Sequence, residues 1–509
     1  MAPPSIPAVW EIPKLRASFG FEDDHQYVSD DGLADTEFFD VKFYPYNPVG
    51  SNPIFAAVSK KHVVVCRLSS TKEKDVNPCE LLKVIRDDDE EALNCSCTWT
   101  KDAATETAYL CVAGRDAKVK VYNVREGKLV TTLVGHGGEI NDLATSPANP
   151  QLIASASDDT TVRIWSLAAE HAKQPCVCLL GGEGHSWNLL SVAFHDSGRY
   201  VLSAGHDQII NLWTIPDIPS KHMDTPMVVH YPHFSTSEIH SGLIDCVAFY
   251  GDCILSRACH EECIVLWRIE GFSSEDPPPS PDIAPTAHDT SKLTRSAFTP
   301  LTSPSGQAQY TRLMQFHTPG CGVQFFMRFS MLHVPGQHPV LGFCNAQSKI
   351  FFWDMARFTT YHDFMAALQD PRRDPNTPVA RPPWLKPIVP RKRGPEPSLN
   401  RRREASAQDS AVSGNVSTPD PEKAEVLFHG YNRETIDDWE KKYSMDDPHA
   451  LIRAHKFEVL SGFSLVGRQV AWSPEGDWCV IVGSNNRAVI MQRWARDGSH
   501  ADNVDDSMQ

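Results

Sequence analysis

Short apolar runs separated by turn residues recur along the chain, and they recur in sets. Behind Gly135-His136 come Glu139-Ile140-Asn141-Asp142-Leu143, then Leu152 to Ser157, then Asp159, then Val162-Arg163-Ile164-Trp165. The same set returns behind Gly184-His185 as Leu190 to Phe194, Tyr200 to Ala204, Asp207 and Ile210-Asn211-Leu212-Trp213. The second copy follows the first by 49 residues at its histidine and 48 at its tryptophan, and in both the aspartate precedes the tryptophan by six. Runs this short, bounded by turns, predict strands. A self-similar period of this size marks a repeat architecture.

The order Gly-His, Asp, Trp is that of a WD repeat, in which each unit folds as a four-stranded blade. The spacing has a physical reason. The histidine stands before the inner strand, the aspartate in a tight turn, and the tryptophan on the strand that follows. Folded together, they can join the indole N–H and a strand Ser or Thr in a buried hydrogen-bond chain, which stiffens the blade. His136, Asp159 and Trp165, like His185, Asp207 and Trp213, are therefore structural, and the histidines are not general bases.

Five weaker copies follow the same plan. They begin at Phe39, Cys97, Ile239, Phe325 and Val470, and only one true Trp-Asp pair occurs, Trp353-Asp354. Seven units predict an all-β, seven-bladed WD-repeat β-propeller, a ring without free sheet edges between blades. The ring is expected over residues 36–494, with an N-terminal extension (1–35) and an acidic tail (495–509). Part of the segment before Phe38 is expected to supply the outer strand of the last blade.

Two stretches break the pattern. Residues 273–307 contain Pro277-Pro278-Pro279 and many Ser and Thr, and read as a loop insertion. Residues 359–446 contain Pro382-Pro383, Arg391-Lys392-Arg393 and Arg401-Arg402-Arg403. Most of this second stretch is expected to be disordered, with a short helix at Glu434 to Tyr443. Its two basic triplets resemble a bipartite nuclear import signal, or else form a solvated linker. Asp87 to Glu91 reads as a solvated acidic loop.

Composition narrows the functional classes. The 509 residues carry a formal net charge of −16, which argues against a wide nucleic-acid surface and suits basic partners such as histone tails. The first residues hold no apolar signal-peptide core, and no run is long enough to span a membrane, so an intracellular protein is expected. The 14 cysteines form no C-x-x-C pair. Cys259-His260-Glu261-Glu262-Cys263 is the one passage with metal-ligand character, and reduced buried thiols are the plainer reading. No cofactor is expected. Nor does any nucleophile elbow or phosphate loop point to an enzyme.

The connectors between repeats are more specific than the repeats. Phe234-Ser235-Thr236-Ser237-Glu238-Ile239-His240, followed by Asp245-Cys246-Val247 and Gly251 to Ser256, resembles the EED or extra sex combs family, the propeller subunit of Polycomb repressive complex 2. Gly181 to His185, Met327 to Met331 and Asp447-Pro448-His449 resemble it as well. The long insertion before the last blade suggests a fungal-type member.

The resemblance implies a non-catalytic nuclear scaffold. One face of the ring would bind a helix of a SET-domain histone methyltransferase subunit, beside other Polycomb complex subunits. The opposite face would take a trimethyl-lysine of the histone H3 tail. A quaternary ammonium donates no hydrogen bond, so it is held by aromatic faces at about 0.5–2 kcal/mol per contact. Phe39, Phe325 and Phe326 match three cage positions, and Arg328 and Arg468 match arginines beside them. The three phenylalanines could otherwise simply pack. Cys95 falls on the fourth cage position, where animal members have Tyr. Either the cage has three walls, or another residue fills in, or methyl-lysine reading is lost. The alternative function is a generic WD-repeat adaptor, such as a ubiquitin-ligase substrate receptor, since fold alone does not decide function. Neither membrane binding nor sequence-specific nucleic-acid binding is expected.

Overall fold

The computed structural model describes residues 9–21, 37–70, 76–89, 92–286, 292–299, 308–373, 377–388 and 430–496. They fall into two compact units, residues 1–356 with 445–509, and residues 357–444.

The first unit is the propeller. Its seven blades have inner strands at Asp40–Phe43, Asn94–Lys101, Ile140–Thr145, Leu189–Phe194, Ile244–Tyr250, Ser330–Leu332 and Gly467–Trp472. Each inner strand opens a sheet whose first four strands are antiparallel, and in blades 3 and 5 a fifth strand adds parallel to the fourth. The second strands, such as Ile54–Val58, Tyr200–Gly205 and Trp478–Gly483, are buried almost throughout. Blades pack against neighbours on both faces, so these strands read as continuous apolar runs. The outermost strands face solvent, as in Lys128–Val134, where Leu129, Val130 and Val134 are exposed.

Ring closure falls to the N-terminal segment, as the sequence led us to expect. Lys14–Gly20 pairs antiparallel with Arg487–Gln492 and completes blade 7. Val9–Trp10 pairs with Ala495–Arg496 beside it.

The histidine relays form as the repeat pattern predicts. In blade 3, His136 meets Asp159 at 2.8 Å through Nδ1 and Ser155 Oγ at 2.6 Å through Nε2, and the Trp165 indole donates to Ser155 Oγ at 2.8 Å. In blade 4, His185, Asp207, Ser203 and Trp213 repeat these contacts at 2.9, 2.7 and 2.8 Å. Gly184 has its own reason to be glycine: a Cβ there would lie 2.3 Å from the Trp213 ring. Blade 5 holds a third relay that the sequence pattern did not reveal, because a glutamate stands in for the aspartate. His240 contacts Glu261 and, at 2.7 Å, Ser256 Oγ, which accepts from the Trp267 indole at 3.0 Å. Glu261, from the Cys259–Cys263 passage, thus has a structural partner.

Three expectations change. Thr294–Ser296, inside the first insertion, joins blade 4 as a fifth strand against Phe234–Thr236. Asp87, read as part of a solvated loop, is buried and paired with Lys120 at 2.6 Å, with Asn94 Nδ2 donating to it at 3.1 Å. The flanks of the second insertion are folded beyond the one helix expected at Glu434 to Tyr443, which forms. Helix α1 (Ala356–Gln369) precedes helix α2 (Arg433–Tyr443), whose N-cap Asn432 accepts from the Thr435 amide at 2.9 Å. Tyr361, Phe364, Leu368, Leu385, Trp439 and Tyr443 form a core within this second unit. The central part of the insertion, with both basic triplets, lies outside the described residues, as does the acidic tail beyond Arg496.

Candidate aromatic binding site

Inner strands of a propeller run in one direction, so the residues that precede them gather at one mouth of the channel. A ladder of polar side chains links these strands. Asp40 accepts from the Cys97 amide at 3.0 Å, Ser96 from Leu143 at 3.1 Å, and Asp142 from Val192 at 2.9 Å. Ser191 accepts from Val247 at 3.1 Å and Asp245 from Met327 at 3.1 Å. Each of these side chains on blades 1 to 5 therefore satisfies a main-chain donor of the next blade, which fixes the blades' relative height.

A cavity of about 250 Å³ opens at this mouth, lined by Phe39, Lys60, Leu93, Asn94, Cys95, Glu139, Gln324, Phe325, Phe326 and Arg468. The structure thus brings together five of the six residues proposed from sequence. Phe39 enters from the start of blade 1, where its amide donates to Val58 O at 2.9 Å. Cys95 lies on the inner strand of blade 2.

Phe325 and Phe326 precede the inner strand of blade 6 rather than lying on it. On a strand, adjacent side chains would face opposite ways. Here Phe326 has φ +54°, a left-handed conformation that costs a bulky residue about 1–2 kcal/mol. The turn sets the two rings 4.9 Å apart, tilted by 38°, and both line the cavity. Phe325 stays 43% exposed, so it is not a core residue.

Arg468 holds this doublet in place. Its Nη1 donates to Phe325 O at 2.7 Å, and its other two nitrogens reach both oxygens of Glu37 at 2.7 and 3.0 Å. Glu37 offsets the guanidinium charge beside a site that would receive a cation. Arg328 lies beside the cage rather than in its lining. Its side chain does not line the cavity but lies buried in the channel, donating to Asp142 Oδ1 at 2.9 Å and to the carbonyls of Asn141 and Leu190 at 2.9 and 3.0 Å. Its guanidinium lies 5.5 Å from the Phe326 ring centre, a cation–π support beneath that wall.

At the fourth position the Cys95 thiol donates to Ile140 O at 3.2 Å. Burial, reinforced by the charge of Glu139, pushes its pKa up, so it remains a neutral thiol. Among the described residues lining the cavity, the aromatic ones are the three phenylalanines. Sequence reasoning missed Glu37 and Glu139. Register could have found them, since they stand at corresponding places, three residues before Asp40 and Asp142.

Comparison with known proteins agrees with this architecture. The model of the "WD domain, G-beta repeat" family matches residues 127–166 and 176–214. The Polycomb protein EED of Chaetomium thermophilum is 53% identical over 97% of this chain and 98% of its own length. The Polycomb protein esc of Drosophila melanogaster is 28% identical over 56% of this chain and 64% of its own. A crystal structure of the Chaetomium thermophilum Polycomb repressive complex 2 contains a chain 56% identical to this one, with a TM-score of 0.84 over 95% of this chain and 98% of that one. A structure of the same complex with H3K27me3 matches with a TM-score of 0.83 at 56% identity, over 96% of this chain and 98% of that one. By the length and level of that identity, carried through connectors as well as blades, the chain belongs to the Polycomb EED family.

Proposed function

We propose that this protein is the non-catalytic propeller subunit of a Polycomb-type histone H3 lysine methyltransferase complex. It supports the SET-domain methyltransferase subunit and reads trimethyl-lysine on the histone H3 tail, stimulating methylation in gene silencing. The observation that carries the scaffold role is the 53% identity over 97% of the chain to a Polycomb EED protein. An unrelated WD-repeat adaptor would match in blades and diverge in connectors. The reader role is supported by the three phenylalanines that line one cavity at the channel mouth. In this reading Phe39, Phe325 and Phe326 are the cage walls, Cys95 marks the missing fourth wall, Arg468 positions the doublet, and Arg328 backs Phe326. A subunit of a chromatin complex acts in the nucleus.

Two measurements test this. Affinity purification followed by mass spectrometry should recover a SET-domain methyltransferase, whose activity falls when this chain is removed. Titration with trimethylated against unmethylated histone H3 peptide should favour the methylated one. Equal affinity for the two peptides would leave the scaffold role alone.

A further inference from the structure

Among the described residues that line the cavity, Glu139 is the acidic one, a group that an aromatic cage for a quaternary ammonium does not need. Two acids stand at this mouth, and their situations differ. Glu37 is engaged through both oxygens by Arg468. Glu139 is anchored by its main chain, whose carbonyl accepts from the Asp158 amide at 2.8 Å. Its carboxylate, by contrast, receives no hydrogen bond from any described residue, and Arg115 acts on it as a counter-charge without a hydrogen bond. Partial burial, with the nearby charge of Asp158, raises its pKa, as expected of an acid short of partners. It stands beside Cys95, where the fourth aromatic wall is missing, and its charge is felt at that thiol.

The chemistry of the lysine methylation states then matters. A trimethylammonium carries no N–H, a dimethylammonium one, a monomethylammonium two. Aromatic faces attract all of these cations. A carboxylate in the wall adds a charge-assisted hydrogen bond only for those that still have a proton to donate. Replacing an aromatic wall by a thiol with an acid beside it takes contact away from the trimethyl state and offers an acceptor to the lower ones.

We infer that Glu139 is a specificity-determining residue, and that through it the cavity reads dimethyl-lysine about as well as trimethyl-lysine. This rests on reading the cavity as a methyl-lysine site. The test is titration of the full chain with four synthetic histone H3 peptides carrying the same lysine unmethylated, mono-, di- and trimethylated. The dimethyl peptide should bind within about threefold of the trimethyl one. Glu139→Ala should weaken the dimethyl peptide about tenfold more than the trimethyl peptide, the size expected for a lost charge-assisted bond. Glu139→Gln, which keeps an acceptor and loses the charge, should move the same ratio by about threefold and serves if the alanine variant melts early. An equal loss for both peptides, or a wild-type preference for trimethyl beyond about tenfold, would overturn the inference. Failure of every methylated peptide to bind would instead overturn the reading of the cavity itself.

Discussion

Arg468 binds two partners with one guanidinium: the main-chain carbonyl of Phe325 at 2.7 Å and, through its other nitrogens, both carboxylate oxygens of Glu37. The contact ties blade 7 to the aromatic doublet ahead of blade 6. Arg468→Ala should free the Phe325 main chain and leave Glu37 uncompensated. We expect methylated-peptide affinity to fall about 5- to 20-fold, by isothermal titration calorimetry, with the melting temperature lowered only slightly. Arg468→Lys should recover little, since an ammonium cannot span both partners with a planar fork.

The aromatic walls themselves should dominate the affinity. Phe326→Ala removes a ring that Arg328 supports from below at 5.5 Å. Peptide binding should drop below detection while circular dichroism stays unchanged. Cys95→Tyr should strengthen trimethyl-peptide binding by about 2- to 30-fold, the worth of one more cation–π face. An unchanged affinity in the tyrosine variant would mean that the fourth position does not face the ligand.

The histidine relays are a stability device. Asp159→Ala leaves the Thr161 and Gly137 amides and His136 Nδ1 without their partner. We expect a loss of about 1–3 kcal/mol in chemical denaturation. An unaltered denaturation midpoint would show that the relay contributes nothing to blade 3.

Acid should reach the relay of blade 5 through Glu261. Burial alone would raise this carboxyl's pKa, but hydrogen bonds from His240 and Ser241 outweigh it and hold the group at about 2, against an ordinary value of 4.5. Because the folded value is the lower one, the stabilisation is fully present above about 4.5 and is lost as pH falls from there toward 2. Glu261→Gln should therefore flatten the dependence of unfolding free energy on pH in that window. At neutral pH the variant should be less stable than the wild type.

The ring, its blade count and the donated outer strand were legible because each strand is short, apolar and bounded by turns, and because the Gly-His, Asp, Trp order repeats. What the sequence hid has specific causes. Glu261 masks the third relay, since one extra methylene replaces the expected aspartate. Helix α1 was not legible because Thr359 and Thr360 are poor helix formers, and Ala366 and Ala367 put apolar residues on its exposed side, blurring the stripe of Phe358, Tyr361, Phe364 and Leu368. At the candidate site, the three phenylalanines and Arg468 came from family likeness, and the structure gathers them around one cavity. The buried partner of Arg328 was not legible, because Asp142 is 186 residues away, a separation that no local pattern carries.

The strand Lys14–Gly20 meets Arg487–Gln492 across nearly the whole length of the chain. During synthesis, blades 1 to 6 can therefore form while blade 7 still lacks partners, and the circle shuts only when the last strands emerge from the ribosome. Until then the inner strand of blade 1 has no blade 7 beside it, and Phe39 and Arg468 do not yet share a cavity. The candidate site thus waits on blade 7, and a chain cut before that blade would hold the earlier blades without a working mouth.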